Sequence, residues 1–198
     1  AARARQGWQS RGLGQLTNYC KILNAPGRGP FLPELFLVTM KAIIMLEKNQ
    51  LAPAFSTPNQ FNETISLSDF AGSRNVVLYF YPKDDTPGCT IEANQFTELA
   101  SEFARADTVV LGVSRDSCES HQAFIDKFGL KVDLLADASG ELCDAYGVWQ
   151  EKEKNGVKKM GIVRSTFLID KQSVLAEALY GVTADGHAED MLERLRRL

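Results

Sequence analysis

Val76-Val77-Leu78-Tyr79-Phe80-Tyr81-Pro82-Lys83-Asp84-Asp85-Thr86-Pro87-Gly88-Cys89-Thr90 turns from strand to helix across one tight loop, and the rest of the chain is organised around it. The apolar, β-branched and aromatic run from Val76 to Tyr81 has the character of a strand covered on both faces. After the Pro82 to Gly88 turn, Phe96, Leu99 and Phe103 recur at helical spacing through Arg105, which predicts one helix with its N-terminus beside Cys89. α/β sheets place ligands at this edge. Unpaired N–H groups and the helix dipole favour an anion there, so the Cys89 thiolate is stabilised as a nucleophile. The hydroxyl of Thr86, three residues earlier, is placed to bond the sulfur and an incoming oxygen. Pro82 and Pro87 stiffen the loop and shield the thiol, completing a small oxyanion pocket. The competing reading of Cys89 is a small buried hydrophobe.

Outward from this stretch the alternation continues. Thr64 to Leu67 reads as a half-buried edge strand or hairpin. Val109 to Val113 reads as a second buried strand, followed by a helix from Asp116, with Glu119 as its capping partner, to Phe128 before Gly129. A short strand at Val132 to Leu135 and a short helix at Glu141 to Tyr146 follow. Asn155-Gly156 in a charged setting signals a two-residue hairpin, which puts Trp149 and Arg164 on flanking strands and makes Lys152 to Lys159 a solvated hairpin. Ser165 to Ile169 and Val174 to Tyr180 supply the last strands, and His187 to Leu198 closes as a helix. Strands alternating with helices and ending in a hairpin predict an α/β, thioredoxin-like sandwich with a mixed central sheet and helices on both faces.

Pro82, Thr86 and Cys89 fill the P-x-x-x-[ST]-x-x-C motif of the peroxiredoxins, and the string from Leu78 to Thr90 resembles the bacterioferritin comigratory protein or peroxiredoxin Q branch of that family. Arg164, in Arg164-Ser165-Thr166-Phe167-Leu168-Ile169-Asp170, stands where the family carries its active-site arginine. Likeness in Leu111 to Ser114, Tyr146 to Trp149 and Gly186-His187-Ala188 extends the resemblance from about Leu51 to the C-terminus. It implies a thiol peroxidase that reduces hydrogen peroxide or organic hydroperoxides through a Cys89 sulfenic acid. Arg164 and Thr86 then stabilise charge on the departing oxygen. Glu92, one turn into the helix, reads either as a solvated helix-face residue or as the group that orients Arg164.

One departure bears on recycling. Many members of the branch carry a second cysteine five residues after the first, where this chain has Asn94. The resolving thiol is then Cys118, which is expected at the same sheet edge as Cys89, or an external reductant: thioredoxin, glutaredoxin or a small thiol. Cys143 reads as core, and Cys20 lies in the N-terminal segment. The rival functions on this fold are a thiol–disulfide oxidoreductase, disfavoured because Thr86 stands where the first cysteine of a C-x-x-C pair belongs, and a redox-sensing module.

The chain has 198 residues and a formal net charge of -3, so no basic face recommends nucleic acid or anionic lipid as partner. No apolar run is long enough to span a bilayer. Four scattered cysteines, with His121 and His187 as the two histidines, predict neither a structural metal nor a cofactor. Monomer and homodimer are both compatible with the sequence. Residues 1–45 carry Arg3, Arg5, Arg11, Lys21, Arg28 and Lys41 against Glu34 and are expected to lie outside a domain spanning 46–198. They read as transit-like, as upstream translation before Met40 or Met45, or as a cloning scar. The expected location is cytoplasmic, or an organelle if residues 1–39 are a transit peptide.

Overall fold

The structure, a computed structural model, describes residues 45–198 apart from Asn155. The basic N-terminal segment, expected to end near residue 45, lies outside the described residues but for Met45. Strand β1 (Ser56–Pro58) pairs antiparallel with β2 (Thr64–Ser66), and Leu67 begins a single 3-10 turn instead of prolonging the strand. Then follow β3 (Asn75–Phe80), α1 (Pro87–Glu98), α2 (Ala100–Arg105), β4 (Thr108–Ser114), α3 (Cys118–Phe128), β5 (Asp133–Ala136) and α4 (Glu141–Ala145). The hairpin strands β6 (Trp149–Lys154) and β7 (Val157–Ile162) precede β8 (Ser165–Ile169), β9 (Leu175–Tyr180) and α5 (His187–Leu195). Among the described residues no helix is long and apolar enough to cross a membrane.

The central sheet runs β5-β4-β3-β8-β9; β3, β4 and β5 are parallel, while β8 and β9 are antiparallel to their neighbours. This is the expected mixed sheet, and β3 is its middle strand because its side chains are apolar on both faces. Val77, Tyr79 and Tyr81 enter one core with Phe96 of α1, Phe103 of α2, Phe124 of α3 and Met191 of α5. The alternate residues Val76, Leu78 and Phe80 enter the other, with Phe55, Leu142 of α4, Tyr146 and Phe167. The six side chains from Val76 to Tyr81 are each no more than 1% exposed, and Val76, Val77, Leu78 and Phe80 each contribute about 1.5–3 kcal/mol by leaving water. Tyr79 stacks between Tyr81 and Phe96, with ring centroids 5.6 and 4.7 Å away. Gly112 on β4 makes the room, since a Cβ there would lie 2.6 Å from the Tyr79 ring.

Three local expectations are corrected. The helix expected to run unbroken through Arg105 breaks at Leu99 (φ -91, ψ 3), whose carbonyl accepts from the N–H groups of Glu102 and Phe103 and so starts α2. Phe96 and Phe103 still meet in the core, 5.8 Å apart, so the apolar period passes through the break unaltered. Helix α3 is capped not by Asp116 with Glu119 but by Ser117, whose hydroxyl accepts from Ser120 N–H, because the Asp116 carboxylate is taken by Ser114 and by the Asp84 amide. Arg164 lies in the two-residue link between β7 and β8 rather than on a strand.

Candidate active site

Cys89 is the third residue of α1 and only 2% exposed. Pro87 occupies the first helical position, where its missing N–H costs nothing, and the first ladder bond runs from Thr90 N–H to the Thr86 carbonyl at 2.8 Å. The amides of Gly88 and Cys89 therefore precede the ladder and point their hydrogens out of the helix end. Arg164 reaches over this turn. Its Nη2 donates to Cys89 Sγ at 3.3 Å, and its Nη1 donates to the Glu92 carboxylate. At Gly88 a Cβ would lie 3.5 Å from Arg164 Nη2, so the guanidinium packs directly against the loop. Burial alone would weaken the charge on Arg164, but the Glu92 carboxylate and the Cys89 sulfur outweigh it and hold its pKa above its ordinary range.

Glu92 is completely buried, one helical turn after Cys89, with its second oxygen 2.8 Å from His187 Nδ1. Of the two readings open in the sequence, the structure places Glu92 against Arg164 and not in solvent. Thr86 and Pro82 differ from expectation. The Thr86 hydroxyl donates to the Lys83 carbonyl at 3.0 Å instead of meeting the sulfur, because a nearby main-chain acceptor competes for it. Pro82 is exposed, and the thiol belongs to the buried cluster that includes Tyr79, Ala93 and Phe96.

A second buried network pins the loop to α3. The Asp84 carboxylate accepts from Tyr81 Oη at 2.6 Å, Ser120 Oγ at 2.7 Å and His121 Nδ1 at 2.9 Å, and the Asp84 N–H donates to Asp116 at 2.9 Å. Nε2 of the fully buried His121 faces the Leu135 carbonyl at 3.2 Å, so both ring nitrogens face acceptors. Burial pushes the Asp84 carboxyl up, but hydrogen bonds from His121, Tyr81 and Ser120 together with the charge of His121 hold it below the usual carboxylate range. Next to it Asp85, in the left-handed region at φ 54, pairs with Lys127 near the other end of α3. Neither Asp84 nor His121 stood out in the sequence as a site residue.

The remaining thiols fall in different settings. Cys118 opens α3, half-buried, beside a shallow cavity of about 420 Å³ lined also by Gln60, Phe61 and Gln122. Because β3 and β4 are parallel, the loops leading to Cys89 and Cys118 leave the same sheet edge. Cys143 is fully buried on α4, where burial and then the Asp137 carboxylate push its thiol far up. Asn94 is half-buried on α1, and Cys20 lies outside the described residues. Among the described residues no cluster of His, Cys, Asp or Glu is arranged to hold a metal ion.

The chain is similar to known proteins over most of its length. A family model described as AhpC/TSA family matches residues 49–178. Peroxiredoxin Bcp of Bacillus subtilis is 43% identical over 151 residues, covering 76% of this chain and 96% of that protein. Peroxiredoxin Bcp of Escherichia coli is 37% identical over the same length and the same shares of both chains. Among solved structures, a variant of PrxQ from Xylella fastidiosa superposes with a TM-score of 0.73 at 37% identity, covering 78% of this chain and 97% of that one. The bacterioferritin comigratory protein of Xanthomonas campestris, solved in work on its alkyl peroxide reduction activity, has a TM-score of 0.69 at 38% identity, covering 72% and 90%.

Proposed function

Because the chain belongs to the AhpC/TSA family, as a peroxiredoxin of the Bcp and PrxQ branch, we propose that Cys89 is the thiol that attacks hydroperoxide and that Arg164 is its principal electrostatic partner. The protein is a thiol-dependent peroxidase. The observation that carries the assignment within the chain is the 3.3 Å contact between Arg164 Nη2 and Cys89 Sγ at the N-terminus of α1. The thiolate attacks the hydrogen-bearing oxygen of the peroxide, an S–O bond forms as the O–O bond breaks, and the bonding pair departs on the distal oxygen. Sulfur is oxidised by two electrons to the sulfenic acid, and the departing alkoxide or hydroxide takes a proton to leave as alcohol or water. Arg164 and the amides of Gly88 and Cys89 supply the positive potential that this departing charge needs. Thr86 joins them if its hydroxyl leaves the Lys83 carbonyl when substrate is bound. Pro82 ends β3 and sets the start of the loop.

Asn94 cannot form a disulfide, so the sulfenic acid is cleared by Cys118 or by an external thiol such as thioredoxin, glutaredoxin or a low-molecular-weight thiol. Shared emergence at one sheet edge favours Cys118, which must still bring its Cα within about 7 Å of that of Cys89. Intact mass after one equivalent of peroxide tests both halves of the cycle. Loss of two hydrogens that disappears in Cys118→Ser supports the internal route. A stable gain of one oxygen in both proteins supports an external reductant. An unmodified Cys89 refutes the assignment.

A further inference from the structure

Glu92 uses both carboxylate oxygens, one on Arg164 and one on His187, and the second contact has no part in the mechanism above. A carboxylate oxygen only accepts, so His187 Nδ1 carries the hydrogen in the 2.8 Å bond to Glu92 Oε1. The His187 side chain is 2% exposed and that of Glu92 fully buried, so neither group has water as a substitute partner. Nε2 of the same ring is buried with no hydrogen-bond partner. Nδ1 is thus the polar atom through which the ring is held.

Helix α1 is shaped to receive this ring. Phe96, one turn beyond Glu92, meets it edge-on with centroids 5.5 Å apart. Gln95 clamps the turn that delivers it: Gln95 Nε2 donates to Asp185 at 2.9 Å, and the Gly186 N–H donates to Gln95 Oε1 at 3.0 Å. Gly186 itself stands at φ 75, a left-handed conformation that swings His187 onto α1 as the first residue of α5. One face of α1 therefore carries Cys89, Glu92 and Phe96 in succession, and the C-terminal helix contributes the group that fixes the middle one.

We propose that His187 is a positioning residue for the peroxide step, acting through Glu92 to aim the Arg164 guanidinium at Cys89. A buried carboxylate held from one side alone rotates about its bond or takes up a proton, because an unpaired oxygen cannot be left ionised in a dry site. Held from both sides, its plane is set, and with it the direction of the planar Arg164 fork that spans from Glu92 to Sγ. The role rests on the reading of Cys89 as the peroxide-attacking thiol.

The test is the second-order rate constant of the reduced full-length protein with hydrogen peroxide. His187→Leu, which removes the donor, should lower it by about one to two orders of magnitude, the worth of a hydrogen bond to a charged group. His187→Asn places an amide N–H where Nδ1 was and should recover most of the rate, whereas His187→Gln, with its amide one bond farther out, should not. In a Glu92→Gln background His187→Leu should cost no more than about twofold further, because the two residues act as one unit. A folded His187→Leu protein with the wild-type rate constant overturns the proposal, as does equal loss in both backgrounds. Should His187→Leu fail to fold, equal rates for the Asn and Gln variants overturn it instead. A wild-type protein inert to peroxide would sink the Cys89 reading itself, a result distinct from an active wild type with an unaffected His187→Leu.

Discussion

Replacing Asp84 by Ala is expected to destabilise the fold more than any other single change in the Pro82–Gly88 loop. The substitution strips three donors of one shared acceptor: Tyr81 Oη, Ser120 Oγ and His121 Nδ1, with Tyr81 1% and His121 0% exposed. Each hydrogen bond to a charged group is worth about 1.5–3 kcal/mol, but three sharing one carboxylate do not add. Breaking a buried ionic partnership from one side costs about 3–5 kcal/mol, and we take that range. For a domain of this size the melting temperature should fall by roughly 6–20 °C, at about 2–4 °C per kcal/mol. Asp84→Asn, which keeps one acceptor oxygen, should lose less. The pH dependence has a definite sign. A carboxyl held below its ordinary range in the folded state contributes stability in full above its unfolded pKa of about 3.9, and that stability is lost as pH falls through the folded value. The gap between wild type and Asp84→Ala, read from urea unfolding, should therefore be full near neutrality and close below about pH 4. A neutral-pH gap under about 1 kcal/mol, or one that widens on acidification, would refute the reasoning.

Three further outcomes are expected. Cys89→Ser should keep the wild-type circular dichroism and consume no peroxide, since the buried position tolerates an oxygen but the chemistry does not; residual turnover would implicate another thiol. Arg164→Lys should lower the peroxide rate constant by about a hundredfold, because one ammonium cannot bridge Glu92 and Sγ as a planar fork does, and a loss below about threefold would contradict that geometry. Gly112→Ala should destabilise by about 1–3 kcal/mol in urea, since its Cβ would lie 2.6 Å from the Tyr79 ring and 2.7 Å from Leu134 Cδ2. An unchanged midpoint would show that Tyr79 has room to move.

The sheet and the Cys89 turn were legible because both are written in short-range patterns. The unbroken apolar run of β3 marks a strand covered on both faces, and the loop residues before Cys89 mark a helix start. Arg164 came through resemblance alone, as nothing in its neighbours announces a reach of 75 residues to Cys89. Glu92 stayed ambiguous for the same reason, its partners being 72 and 95 residues away. Asp84 and His121 were invisible as a pair: 37 residues apart, they join only because two parallel strands bring their loops to one edge. The hydrogen bond of Thr86 to a carbonyl three residues back was equally hidden, since the sequence shows the hydroxyl near the thiol but not the main-chain acceptor that holds it. The break at Leu99 left no trace, because Phe96 and Phe103 keep the spacing of two full turns across it.

Cys143 gives the molecule a use beyond its chemistry. It is as hidden as Cys89, at 0% against 2%, yet it faces the Asp137 carboxylate where Cys89 faces a guanidinium. A brief pulse of a thiol-blocking reagent, read peptide by peptide, should mark the half-exposed Cys118 in the native ensemble and reach Cys143 only in molecules whose α4 core has opened. The inert thiol is thereby a footprint of opening around α4, carried in the same chain as the reactive one.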